Sequence, residues 1–374
     1  MSRREDTTKL CNAISSWSFC SGMSVSDYKG DDWCGCYSSD KISLALAIDG
    51  ISSSTVRNRE SRSEVECLAR GSMAARMVAD YYLDYTTPFL EEVGVRGNVS
   101  LDFLYSLLSP GRARPIINRP TLVKILKLIG NKIKVLFNRD QSCLIGGQAV
   151  LSGIIALKGA TVAYLQAGDT EATSTICRIP RSNANPEALE QAIYNAITDT
   201  YRPLPLHTSE GDPSNYADFN AAIRQGLLDS NILLEPTIAL IPWKGITKYC
   251  LPNQNTWHIT LLNSDGVNSD LLLKPSSQRR ELSSLLSSLH AAATRAGNPK
   301  AIKLLAKAIE RYTVIYGDAP LSVAQIILGS TCSAIATSSR IDVINSIVRE
   351  LVLNQQLVMG RDDRTLVIHG ILLG

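Results

Sequence analysis

Four apolar runs in this chain each abut an acidic turn. Asp49-Gly50 closes the run ISLALAI that starts at Ile42. Gly168-Asp169 follows TVAYLQA, Ser264-Asp265-Gly266 follows WHITLLN, and Asp362-Asp363 stands just before LVIHGILL. A fifth acidic pair, Asp31-Asp32, precedes the first run. Asp and Gly are ordinary turn formers, so each element taken singly reads as a plain turn. The recurrence is more informative. If the strands share a sheet edge, their carboxylates converge, and two carboxylates ~4 Å apart repel by about 4 kcal/mol at an effective dielectric of ~20. A cluster of four or five is tolerable only if cations neutralise it. Oxygen donors without His or Cys suit the hard cations Mg²⁺ and Mn²⁺. Glycine next to the aspartate lets the backbone come close, so a main-chain carbonyl can join the ligands. Two such ions, ~3.5–4 Å apart, form a clamp for displacement at a phosphate ester.

Other chemistries find little support. The four His, at 207, 258, 290 and 369, lie far apart, with no HExxH or HxH spacing. The nine Cys are odd in number and irregularly spaced, with Cys34-Gly35-Cys36 the only close pair. They read as buried, reduced thiols rather than a zinc site. The net charge of +3 is too small to imply nucleic acid by itself. From Arg112 to Arg139 there are eight basic residues and no acidic one (Arg112, Arg114, Arg119, Lys124, Lys127, Lys132, Lys134, Arg139). This stretch reads as a solvated helix face, or as a dock for an acidic or phosphorylated partner. It lacks the aromatic interleaving of a nucleic-acid surface, so no nucleic-acid partner is expected. The N-terminus has no apolar core of a secretory signal, and no run is long enough for a membrane span. A cytoplasmic monomer with no membrane partner is the expectation.

The elements that must position these turns come in blocks. Residues 1–21 read as a loose N-terminal leader, ahead of one elaborated domain over 22–374. Ile42 to Ile48 is a buried strand by length and flanks. A helix follows, with Ser63 and Glu66 at capping-box spacing and small residues at Gly71, Ala74 and Ala75. Thr121 to Phe137 is a second candidate helix. Ala149 to Leu157, Ala160 to Leu165 and Ser174 to Ile179 read as a β-meander, and Pro186 to Thr198 as a short helix with Pro at its first turn. Strand character returns at 232–241 and 256–262. Helical patterns then run over 277–296, 300–316, 322–335 and 341–353, before a last strand at 366–373. Blocks without regular βαβ alternation argue for an α+β fold with mostly antiparallel sheets.

The order of these elements resembles a known family. It runs acidic pair, strand-Asp-Gly, helix with small residues, Gly-Gly-x-Ala strand, Gly-Asp-Thr, Ser-Asp-Gly, and Asp-Asp-x-Thr before a terminal strand. This looks like the metal-dependent serine/threonine protein phosphatases of type 2C, over roughly residues 22–371. The resemblance implies a four-layer α-β-β-α sandwich: two mainly antiparallel sheets flanked by helices, with a helical insertion at about 270–355 before the last strand. It implies hydrolysis of phosphoserine or phosphothreonine on a protein substrate by a hydroxide held between two Mn²⁺ or Mg²⁺ ions. Carried over singly, Asp49 bridges both ions and Gly50 offers its carbonyl. Asp265 and Asp362 hold the first ion. Asp31 reaches the second through water, with Asp32 as its supporting neighbour. Asp169 matches a ligand of a weaker third ion.

The chain also departs from the pattern. Asp27 stands where the family's phosphate-binding Arg is expected, and Lys29 is the nearest substitute, a point charge without the bidentate fork. Ile51, Ser52 and Ser53 replace the glycines that usually follow Asp-Gly. The 96 residues between Asp265 and Asp362 look like a large helical insertion, either a flap or docking subdomain or a decoration. The alternative to an active enzyme is therefore a catalytically weak or inactive module of the same fold that binds a protein or phosphopeptide.

Overall fold

The computed structural model describes residues 9–13, 16–23, 32–50, 149–204 save 169 and 182–184, 237–274 save 249, 252 and 268, 279–337 and 364–373, with scattered residues of 75–108 and 344–346. Twelve strands, β1 to β12, lie among them. They are Lys9–Ala13, Ser16–Met23, Trp33–Ser38, Ile42–Gly50, Ala149–Leu157, Thr161–Ala167, Glu171–Pro180, Thr237–Pro242, Gln254–Asn263, Leu272–Leu273, Leu321–Ser322 and Arg364–Leu373. Two sheets of five strands dominate, ordered β1-β2-β12-β9-β7 and β3-β4-β5-β6-β8, and every pairing in them is antiparallel.

Side-chain alternation sorts the layers. On β4, Leu44, Leu46 and Ile48 belong to one buried cluster, while Ala45 and Ala47 belong to another. The second cluster also takes Ile154, Val162 and Tyr164 from the same sheet and Ala172, Ile176, Leu262, Val367 and Ile371 from the other. This is the seam where the two sheets pack face to face, and small alanines from β4 let them approach. The period of two in these strands follows from the pleat, which sends successive side chains to opposite faces.

Helices cover both outer faces. Beyond β4, β5 and β6, the helical residues Ala75, Val78, Ala79, Leu90 and Leu108 pack onto Leu44, Leu46 and Ile48. A π-helical turn at Tyr81–Thr86 lies in this layer, and its Tyr82 hydroxyl donates to the Leu108 carbonyl at 2.7 Å. Beyond β7, β9 and β12 lie α1 (Pro186–Thr198), α3 (Arg279–Arg295), α4 (Pro299–Tyr316) and α5 (Val323–Thr337). A short helix, α2 (Trp243–Thr247), follows β8. The expected α+β four-layer sandwich with helices before the last strand is the fold observed.

The capping chemistry is local. Asn185 accepts from the Ala188 N–H at 2.8 Å ahead of Pro186 and so caps α1. Ser322 and Gln325 form a reciprocal capping box at the start of α5, at 3.2 and 2.8 Å. Gln325 also donates to the Ile197 carbonyl at 3.0 Å, satisfying an orphan group at the end of α1. The helices of 279–337 therefore pack into the outer layer itself. Val323, Ile326, Ile327 and Leu328 of α5 are fully enclosed, as the central member of a layer requires.

Three expectations need correction. Residues within 1–21 do not form a loose leader: β1 and β2 make a hairpin, and β2 pairs with β12 from Met23↔Arg364 to Ser16↔Ile371. The meander stops after β6. Instead of pairing with β6, β7 crosses to the other sheet and pairs with β9 along its length. The crossing follows Gly168, whose φ of 72° is a conformation that a side chain would disfavour. Finally, not all thiols are free. Cys177 on β7 and Cys332 on α5 form a disulfide inside the outer core, and Cys36 is disulfide-bonded as well. Cys250 is a free thiol. The expected helix at 121–137 and the basic stretch 112–139 lie outside the described residues.

Candidate functional site

The strand registers fix where the acidic turns fall. Trp33 pairs with Ile48, so Asp32 and Asp49 sit one residue further along adjacent antiparallel strands, at the same end. Asp49 and Gly50 pair with Val150 and Ala149 at the start of β5. Leu151 pairs with Ala167, which brings the turn after β6 to this end as well. In the other sheet, Asn263 pairs with both Leu366 and Glu171. The end of β9, the start of β12 and the start of β7 are thus together.

Parity gives the direction of these side chains. Cys34, Ala45 and Ala47 belong to the seam between the sheets, so Asp32 and Asp49 lie on the seam face of their strands. Leu262 and Val367 belong to the same seam, which puts Ser264 and Thr365 on the facing side of the other sheet. One hydrogen bond closes the gap: the Ser264 hydroxyl donates to Asp32 Oδ2 at 2.7 Å. The same hydroxyl accepts from the Thr365 N–H at 2.9 Å, and the Ser264 N–H donates to the Thr365 carbonyl at 3.0 Å. Ser264 is fully buried. It therefore joins three chain segments, at 32, 264 and 365, and fixes the place from which Asp265 leaves β9.

Asp49 is half-buried, Gly50 is buried and Asp265 is exposed. The loop behind Asp265 is stiffened from within. Asn263 Nδ2 donates to the carbonyls of Ser264 and Val267 at 3.0 and 3.1 Å. The Ala324 N–H at the start of α5 donates to the Ser269 carbonyl at 2.9 Å.

Of the residues singled out in the sequence, Asp32, Asp49, Gly50 and Asp265 are brought to this end of the sandwich. Lys29, Asp31, Asp169 and Asp362 lie outside the described residues, although β12 begins at Arg364, two positions after Asp362. Among the described residues, no three metal-ligating side chains form one group. The donor chemistry still fits a hard cation. The side chains delivered here are carboxylates and a hydroxyl, while the two histidines of these strands, His258 and His369, lie inside the seam and are fully buried.

Those histidines were missed as interior groups. His258 Nε2 meets the Tyr164 hydroxyl at 2.8 Å and the Tyr201 hydroxyl at 2.9 Å. His369 Nε2 meets the Ser43 hydroxyl at 2.6 Å. Burial lowers the His258 pKa to about 4. Burial, with His258 nearby, lowers that of His369 to about 3. Both are neutral at physiological pH. Burial also holds the Tyr164 hydroxyl well above its ordinary range.

Sequence reasoning also missed Glu171 and Arg202. Arg202 contacts Glu171 at 3.7 Å and makes a closer ion pair with Asp270. The Ser269 hydroxyl donates to the same Glu171 carboxylate. Position alone marked Glu171, two residues after Asp169; nothing in the sequence marked Arg202.

No family model and no curated protein matches the chain. Among solved structures, it is similar to the serine/threonine phosphatase Stp1 from Staphylococcus aureus, at 11% identity and a TM-score of 0.38, with 99% of each chain covered. It is also similar to the Mycobacterium tuberculosis serine/threonine phosphatase PstP/Ppp, at 11% identity and a TM-score of 0.36, covering 96% of this chain and all of that one. RsbX in complex with magnesium matches at 9% identity and a TM-score of 0.35, over 98% of this chain. These overlaps are loose; the strand pairings of the chain itself establish the two-sheet architecture. Among the described residues, no helix is long and apolar enough to cross a membrane.

Proposed function

We propose that this chain is a metal-dependent phosphoprotein phosphatase of the type 2C kind, acting on phosphoserine or phosphothreonine. The observation that carries the reading is the seam end itself. Asp32 and Asp49 sit side by side there, and the Ser264–Asp32 hydrogen bond draws the Asp265 turn across from the other sheet. Carboxylates gathered from separate strands repel one another unless a cation joins them.

Asp49, Asp265 and Asp362, with the Gly50 carbonyl, would hold Mn²⁺ or Mg²⁺. Asp31 and Asp32 would support a second ion, and Asp169 a third. Such ions activate water for attack on phosphorus and offset the charge of the phosphoryl oxygens. The chain's own part is geometric. Ser264 orients Asp32 and fixes the start of the Asp265 turn. The sheet registers keep Asp49 at the end of the seam. Lys29 is the candidate cation for the substrate phosphate, in place of the Arg that Asp27 displaces.

The test is hydrolysis of a phosphothreonine peptide with and without Mn²⁺. Turnover that requires Mn²⁺ and falls at least a hundredfold in Asp49→Asn is the expected result. Turnover indifferent to chelator, or to the Asp49 substitution, would overturn the reading. A second reading rests on Asp27: without the bidentate Arg the chain is a binding module of this fold, acting on a phosphoprotein partner slowly or not at all. Mn²⁺ binding without turnover would favour that module.

A further inference from the structure

The Arg202 cluster lies on the other side of the same sheet end. On β7, Thr173, Thr175 and Cys177 alternate with the seam residues Ala172 and Ile176, and Cys177 packs into the outer core. Glu171 shares the parity of Cys177, so it faces the helix layer rather than the seam. Its carboxylate takes the Ser269 hydroxyl and the Arg202 guanidinium. Arg202 also pairs with Asp270, and the side chains of Arg202 and Glu171 are largely shielded, at 27% and 15% exposure. Ser269 and Asp270 belong to the loop that starts at Ser264-Asp265, and Glu171 follows Gly168-Asp169-Thr170.

We infer that Arg202 is a positioning residue that braces the Asp265 loop against the start of β7. The inference rests on the metal-centre reading above and deepens it. A guanidinium with two carboxylate partners is already committed, and it faces away from the seam, so it is not the missing phosphate ligand. Its planar fork suits two acceptors held at a fixed separation. One acceptor is on the loop carrying Asp265, and the other is Glu171 at the start of β7. The brace therefore holds the Asp265 loop against β7 from outside the site, as groups behind metal ligands do elsewhere.

The experiment uses the full chain, wild type, Arg202→Met and Arg202→Lys. Mn²⁺ affinity is read by titration calorimetry, and amide hydrogen exchange is read over 264–271, with thermal unfolding as the control for folding. Arg202→Met is expected to remain folded, to bind Mn²⁺ about tenfold more weakly, and to exchange faster over 264–271. Arg202→Lys, which reaches one carboxylate at a time, should fall between. A folded Arg202→Met protein with wild-type Mn²⁺ affinity, or with unchanged exchange in that loop, would overturn the inference. A wild-type chain that binds no Mn²⁺ would overturn the metal reading instead, and the exchange data would still decide whether Arg202 braces the loop. If Arg202→Met fails to fold, Asp270→Asn removes one arm of the same brace and is judged by the same two readouts.

Discussion

Ser264 and Asp32 lie 232 positions apart in the chain, yet the hydroxyl of one donates to the carboxylate of the other at 2.7 Å. The contact joins the end of β9 to the approach of β3, and so joins one sheet to the other at the end that carries Asp32, Asp49 and Asp265.

That contact makes Ser264→Ala informative. The substitution removes a hydrogen bond to a charged group and leaves the Thr365 N–H, bonded at 2.9 Å in the native chain, without its acceptor. A loss of about 1–3 kcal/mol is expected, because a buried donor left unmet costs more than the bond it made. Urea denaturation measures it. Mn²⁺-dependent turnover should fall as well, since Asp32 and the Asp265 turn lose their common anchor. Unchanged stability would show that Ser264 does not join the sheets.

Acid should destabilise the fold through the seam. His258 and His369 are held neutral, with pKa values of about 4 and about 3, against 6.5 for the free side chain. Below pH ~6.5 the unfolded chain binds protons that the folded chain refuses, so stability rises with pH in this window. The contribution is fully present above about 6.5. It is lost as pH falls, ending near pH 4 for His258 and near pH 3 for His369. At ~1.4 kcal/mol per unit, His258 alone accounts for about 3 kcal/mol. Urea midpoints between pH 7.5 and 5 should drop steeply, and His258→Asn should flatten the slope. An equal slope in the variant would dismiss this account.

Gly329 sits in the middle of α5, where α5 crosses α1. A Cβ there would stand 2.7 Å from Ile197 Cγ1 and 3.1 Å from Leu305 Cδ1. Alanine gains ~1 kcal/mol of helix propensity over glycine. Crowding in a packed core costs typically ~1–3 kcal/mol, and Ile197 is enclosed on all sides. Crowding should win, so Gly329→Ala is expected to lower stability by about 1 kcal/mol in denaturant unfolding, and Gly329→Val by more. A stabilised alanine variant would mean that α1 shifts freely.

The Cys177–Cys332 bond links residues 155 positions apart, from β7 to α5. A cross-link closing so long a loop restricts the unfolded chain strongly, by about 4–5 kcal/mol in the chain-entropy account. Peptide mapping without reductant should recover the 177–332 pair. Denaturation in the presence of a strong reductant should begin at lower urea. Free thiols at both positions in the native chain would refute the pairing.

Much of the architecture was legible in local pattern. The run from Ile42 to Asp49-Gly50 is β4, and the run from Trp257 to Asn263 lies wholly within β9. The helices at 186–198, 279–295, 299–316 and 323–337 fall within two residues of the helical patterns read from the sequence, the first with Pro186 at its first turn. What was missed is non-local. The β1–β2 stretch is short and its apolar residues are broken up by Ser and Gly, and β2 finds its second partner in β12, more than three hundred residues away. The departure of β7 from the meander was equally hidden, because apolar alternation does not say which sheet a strand joins. The same holds at the site. Acidic turns identified Asp32, Asp49 and Asp265 as candidates, but Glu171 and Arg202 acquire a role only through contacts across loops.

The sequence alone determined the residue types at each turn, the period of each strand and the start of each helix, since these follow from side-chain chemistry and backbone sterics within a few residues. It also settled that the candidate donors are oxygens. Tertiary structure decided which turns meet. Strand order and register bring Asp32, Ser264 and Thr365 within bonding distance, and burial turns His258 and His369 into neutral interior groups. The physical reason is range: propensity, capping and turn chemistry act between neighbours in the chain, whereas strand pairing and the packing of two sheets through one seam are properties of the whole chain.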